Sequence, residues 1–102
     1  MSEHEGLERA RRLMIRYRLL KILDAGGSLP VGEGLIKQIL VDADLAASQS
    51  DVRRAMQYLA DKSYIEIKKG SQYWDARLLP VGVDYLDDHS VVDSGIARPE
   101  SI

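Results

Sequence analysis

Apolar residues at Leu7, Ala10, Leu13, Met14, Tyr17, Leu20 and Leu23 recur at helical intervals. That spacing predicts a helix over 7–24 with one buried stripe, widened by Leu19 and Ile22. Arg9, Arg12 and Arg16 take the opposite face. "AGG" at 25–27 predicts its end, because glycine accepts the left-handed backbone that closes a helix. "SLPV" reads as a connector or a one-rung edge strand, since proline has no amide to give a ladder. In "EGLIKQILVDA", Leu35, Ile36, Ile39 and Leu40 share a face and predict a short second helix. "DADLAAS" is a turn region. Beyond it Val52, Ala55, Met56, Leu59 and Ala60 predict a third helix. Ser48 and Asp51 have the spacing of a capping box, with Ser50 as the alternative cap. Arg53, Arg54, Gln57, Tyr58, Asp61 and Lys62 then face outward.

The period changes to two at Ser63. In "YIEIK", Ile65 and Ile67 alternate with Tyr64, Glu66 and Lys68; in "YWDARL", Trp74, Ala76 and Leu78 alternate with Tyr73, Asp75 and Arg77. "KGSQ" between them suits a hairpin loop. Pro80 opens "PVGVDYLDD" as a final short helix. Three helices, a β-hairpin wing and a short C-terminal helix predict an α+β, mostly α chain with the winged helix-turn-helix order. The domain is expected over 1–89, and 90–102, which has no period, as a flexible C-terminal tail.

Composition narrows the function classes. The 102 residues suffice for one domain, and a 45% apolar fraction suffices for its core. The absence of cysteine excludes disulfides, thiolate metal sites and a cysteine nucleophile. No uncharged apolar run approaches the roughly 18 residues a membrane span requires, and "MSEHEGLERARR" lacks a signal-peptide core. A soluble intracellular domain with no membrane partner is expected. Net charge is −2, but the charge is sorted by segment. Arg9, Arg11, Arg12, Arg16, Arg18 and Lys21 follow one another without an acid between them, whereas Asp84, Asp87, Asp88, Asp93 and Glu100 crowd the end against Arg98 alone.

In a winged helix the third helix enters the major groove, where Arg53 or Arg54 can pair with guanine and Gln57 with adenine. Ser48 and Ser50 stand at the helix N-terminus, where hydroxyls and free amides suit a phosphate. Lys62 joins this outward face. Lys68, Lys69, Ser71 and Gln72 form the hairpin tip, positioned for the backbone or a minor groove. Tyr58 either reaches a phosphate or packs beside Arg54. The bland reading of the same residues is a solvated helix and a lysine-protected strand edge. The arginines of the first helix read as a solvated face, a DNA backbone contact or an ion-pair surface for a partner. Its wide stripe makes Leu13, Tyr17 and Leu20 candidates for a homodimer interface.

Catalysis and metal binding find no constellation. His4 and His89 are isolated, Asp87, Asp88 and His89 are too close in sequence to converge as ligands, and no phosphate loop or nucleophile elbow is present. A non-enzyme without metal, cofactor or small-molecule ligand is expected, its partner double-stranded DNA.

Residues 7–99 resemble a family of small winged-helix proteins of Mu-like bacteriophages and prophages. The likeness is carried by "RLMIRYRLLKIL", "LIKQILVDADLAASQSDVRRAMQYLADKSYIEI", "LLPVGVDYLDD" and "GIARP". "LLPVGVDYL" is also similar to the segment after the wing in MarR-like and ArsR-like regulators, with Pro80 where threonine or serine is common there. The resemblance implies a transcriptional regulator or accessory DNA-binding factor acting in the bacterial host cytoplasm. The rival expectation is a non-catalytic winged-helix module that binds protein in phage assembly or host takeover.

Overall fold

A computed structural model describes residues 2–99. The elements follow in the order α1 (Glu3–Ala25), β1 (Val31–Gly32), α2 (Glu33–Asp42), α3 (Gln49–Asp61), β2 (Ile65–Lys69), β3 (Trp74–Leu78) and α4 (Pro80–Asp87). Among the described residues four helices thus accompany a three-stranded antiparallel sheet in the order β1-β3-β2. β2 and β3 form a hairpin with Ile67 opposite Ala76 and Lys69 opposite Trp74. The "SLPV" segment contributes the two-residue edge strand, pairing Val31 with Ala76 and Gly32 with Asp75. Among the described residues no helix is long and apolar enough to cross a membrane.

α1 starts earlier than its apolar spacing predicts. Ser2 and Glu5 make a capping box, the Ser2 side chain accepting from the Glu5 amide, so His4 lies inside the first turn. The helix is also rotated from its predicted face. Ile15, Leu19, Leu20 and Leu23 are buried, while Leu7 is 72% and Met14 47% exposed. Because the apolar arc is wide, the tertiary partners α3 and β3 decide which part is covered. Leu20 is wholly buried in the core of its own chain, which removes it from the candidate dimer contacts. Leu13 and Tyr17 are half-buried, and the Leu13 carbonyl accepts from the Ala97 amide at 3.1 Å.

α1 closes at Gly26 and Gly27, with Gly27 at φ +63°. α2 and α3 close in the same way without glycine. After α3, Ser63 (φ 64°) donates to the Ala60 carbonyl at 2.9 Å and Tyr64 to the Leu59 carbonyl at 3.0 Å, a Schellman motif. Asp44 (φ 61°) has the equivalent place after α2, and the residue following it, Leu45, is buried. On α2 only Ile36 and Leu40 of the predicted face are buried; Leu35 is 59% and Ile39 39% exposed.

Residues 90–99 do not trail. Ile96 is buried, the Arg16 guanidinium donates to the Gly95 carbonyl at 2.8 Å, and Arg98 donates to the Tyr85 carbonyl at 2.8 Å. Asp93 accepts from the hydroxyls of Tyr58 at 2.9 Å and Tyr64 at 3.1 Å. These contacts correct both the 1–89 boundary and the flexible tail for this segment. Residues 100–102 lie outside the described residues.

Candidate nucleic-acid interface

α3 begins at Ser48, whose hydroxyl accepts from the Asp51 amide at 3.0 Å while Asp51 accepts from the Ser48 amide at 3.0 Å. Ser48, rather than Ser50, is therefore the cap. The Ser48 contacts, with Arg11 beside them, hold the Asp51 carboxyl below its ordinary range although burial opposes this. Arg11 reaches from α1 to Asp51 at 3.3 Å and to Glu8 at 2.8 Å, so the start of α3 is tied to α1. Val52, Ala55, Met56 and Leu59 face the core, as their spacing predicts. The remaining face is divided between two sides.

Towards the hairpin lie Arg53 and Gln57. Arg53 donates to Glu33 from Nε at 2.7 Å and Nη2 at 2.6 Å, and Nη2 also reaches the Gln72 carbonyl at 3.0 Å. Its guanidinium stands 4.7 Å from the centre of the Trp74 ring. Arg53 is thus a brace between α3, α2 and the hairpin tip, and is not free to pair with a base. Glu33, 3% exposed, also accepts from the Trp74 amide at 3.1 Å and from Gln49 at 3.4 Å. The Arg53 hydrogen bonds hold its carboxyl low against the opposing effect of burial. Sequence spacing gives no sign of this role, because Glu33 looks like an ordinary first-turn acid; its partners come from two distant elements, α3 and β3.

Gln57 is half-buried, and both ends of its amide are engaged. Its amide nitrogen donates to Asp61 at 2.9 Å and its oxygen accepts from Lys69 at 2.9 Å. The Lys69 ammonium also lies 4.7 Å from the Trp74 ring centre. Lys69 therefore shares the α3 side of the hairpin, whereas the strand alternation puts Lys68 on the opposite face, across from Asp75. The lysine pair does not act as one group. Ser71, Gln72 and the exposed Tyr73 form the tip, closed by a Gly70 amide bond to the Tyr73 carbonyl at 2.9 Å.

Towards α1 lie Arg54 and Tyr58. The Tyr58 hydroxyl is held by Asp93 and its ring lies 3.8 Å from the Arg16 guanidinium, so it packs and does not reach outward. Burial, then Asp93, pushes its hydroxyl pKa up. Lys62 also turns to Asp93, at 3.9 Å, at the far end of α3 from Ser48. Arg54 is exposed and makes no hydrogen bond or ion pair among the described residues. It lines two adjoining concavities, one with Gln49, Ser50, Arg53, Gln57 and Trp74, the other with Arg12, Arg16 and Asp51.

The predicted residues therefore separate. Exposed Ser50 and Arg54, half-buried Gln57 and exposed Lys69 form one surface over the first two-thirds of α3 and the facing side of the hairpin. Gln49, next to the cap, belongs to it and was not marked by the sequence pattern. Arg53 and Tyr58 support that surface from within, and Lys62, exposed at the C-terminal end of α3, stands apart from it. The arrangement offers a guanidinium unpaired among the described residues and a hydroxyl on α3, with an ammonium on the facing strand linked to them through the Gln57 amide. No family model, curated protein or solved structure matches the chain.

Proposed function

We propose that the chain is a winged helix-turn-helix protein that binds double-stranded DNA, with α3 as the recognition helix and the β2–β3 hairpin as the wing. The helix order, the β1-β3-β2 sheet and the hairpin following α3 support the winged-helix reading. One observation carries the functional part: Arg54 is unpaired among the described residues, on the exposed face of a helix otherwise braced on both sides. A guanidinium held on a rigid helix beside an amide side chain is the donor set that reads guanine and adenine edges. Lys69 and the hairpin tip supply backbone contacts next to it. The resemblance to Mu-like phage proteins suits a regulator or accessory DNA-binding factor in a bacterial host cytoplasm. Selection of bound duplexes from a random pool by the purified chain tests this; the reading expects a shared short motif, and an unenriched pool contradicts it.

The protein-binding alternative has its own support. Ile22 and Ala25 of α1 and Ile39 and Ala43 of α2 line an apolar groove, beside which Leu35 is exposed. This groove shares no lining residue with the α3 surface and can serve a partner protein or a second copy. It is a better site for self-association than the Leu13, Tyr17 and Leu20 stripe, which the fold and residues 90–99 largely cover.

A further inference from the structure

Arg9, Arg12 and Arg16 recur on one face of α1 at intervals of three and four, a row about 10 Å long. Arg12 and Arg16 line the same concavity as Arg54 of α3. Positive charge is thus gathered on a chain whose net charge is −2. The acid that lines this concavity, Asp51, is already held by the Ser48 amide and by Arg11, and Glu8 on α1 is paired with Arg11 as well. Arg16 is fixed to the Gly95 carbonyl and stacked on Tyr58, so it forms the base of the cluster. Burial lowers its pKa; Arg12 and Arg9 act in the same direction, and Tyr58 and Asp93 oppose it. Arg9 and Arg12 are exposed and have no acid partner among the described residues.

Like charges held together on a rigid helix repel one another, and an anion placed against them relieves that repulsion. The guanidinium fork fits phosphate oxygens two at a time. Arg54 joins this row to the α3 surface, so an anion bound at Arg12 lies beside whatever α3 contacts. We propose that Arg9 and Arg12 bind phosphates of the DNA backbone on the side of α3 opposite the hairpin, so that the duplex is held from both flanks of the recognition helix. This inference rests on the DNA-binding reading above. An acidic protein surface would meet the same charges, and the experiment separates the two.

The full chain is titrated with a random-sequence duplex over a series of salt concentrations, as wild type, Arg12→Gln, Arg9→Gln/Arg12→Gln and Arg18→Gln. Arg18 is exposed on the α2 side of α1 and removes the same charge elsewhere. The slope of log affinity against log salt is expected to fall by about 0.9 for Arg12→Gln and about 1.8 for the double variant, and to stay unchanged for Arg18→Gln. Unaltered melting temperatures are expected for all three. An unchanged slope in the double variant, beside a steep wild-type slope, overturns the phosphate row and leaves the DNA reading standing; the acidic-protein alternative then takes these arginines. An equal fall in Arg18→Gln overturns it too, since only net charge would be acting. A wild type that binds no duplex removes the DNA reading, and the phosphate row with it.

Discussion

Arg53 grips the carboxylate of Glu33 with two hydrogen bonds, from Nε to Oε2 at 2.7 Å and from Nη2 to Oε1 at 2.6 Å. The pair crosses from the recognition-helix candidate α3 to the first residue of α2, and Glu33 continues to the Trp74 amide of β3 at 3.1 Å. One carboxylate therefore fixes the angle between α3 and the hairpin. Glu33→Ala leaves the Trp74 amide without its acceptor and should cost about 1–3 kcal/mol in denaturant unfolding. Glu33→Gln, which can still accept from that amide, should cost less. Equal stability of Glu33→Ala and wild type would remove the brace.

The same carboxylate gives the protein an acid limit. Glu33, through Arg53, and Asp51, through Ser48, both have pKa values lowered by folding. Lowered carboxylates contribute stability that is full above their unfolded values, about 4.3 and 3.9, and is lost as pH falls through the folded ones. Melting temperature should hold from pH 7 to about pH 5 and then decline. In Glu33→Gln the decline should be shallower, and an identical decline would show that Glu33 is not one of the groups responsible.

Asp93 ties residues 90–99 to α3 and the sheet by accepting from Tyr58 and Tyr64. Asp93→Ala strands two hydroxyls and should cost about 1–3 kcal/mol. At high pH the same contacts fail for a different reason. Burial, with Asp93 next, raises the Tyr64 hydroxyl to about 12. Stability from that shift is present below the unfolded value of about 10 and is lost as pH rises towards the folded value. Tyrosine absorbance should report the buried hydroxyls ionising together with unfolding. Ionisation of Tyr64 at about pH 10 in a chain that stays folded, read as the absorbance change lost in Tyr64→Phe, would contradict the packed segment.

Ser63 closes α3 with a left-handed backbone, φ 64°, which costs a residue with a Cβ more than it costs glycine. Ser63→Gly should therefore raise stability by about 1 kcal/mol without altering the hairpin register. Chemical denaturation checks this, and a loss of stability would mean that the Ser63 side chain has a role the backbone does not reveal.

The elements were legible in the sequence wherever one periodicity ended and another began. Ser48, the switch at Ser63 and Pro80 mark their own boundaries by local chemistry. The alternation of Ile65, Ile67, Trp74, Ala76 and Leu78 also gave the correct inner face of the hairpin. What could not be read was any contact between distant segments. The spacing in α1 fits two rotations, and only α3 and β3 decide between them. Asp93 meets Tyr58 and Tyr64 across 35 and 29 residues, from a stretch with no periodicity. Of the outward residues of α3, spacing could not distinguish Arg53, claimed by Glu33, from Arg54, which has no partner among the described residues. That distinction is what sharpens the candidate interface.

The most direct test is the affinity of wild type, Arg54→Ala and Lys69→Ala for a selected duplex and a random one between about 50 and 200 mM salt, where phosphate contacts lose most of their strength. Arg54→Ala should lose about 1–3 kcal/mol on the selected duplex and little on the random one, because a base reader acts only where its base is present. Lys69→Ala should weaken both alike and lower the salt slope by about 1. A wild type with no duplex preference and no salt-dependent binding in this range would contradict DNA recognition by α3.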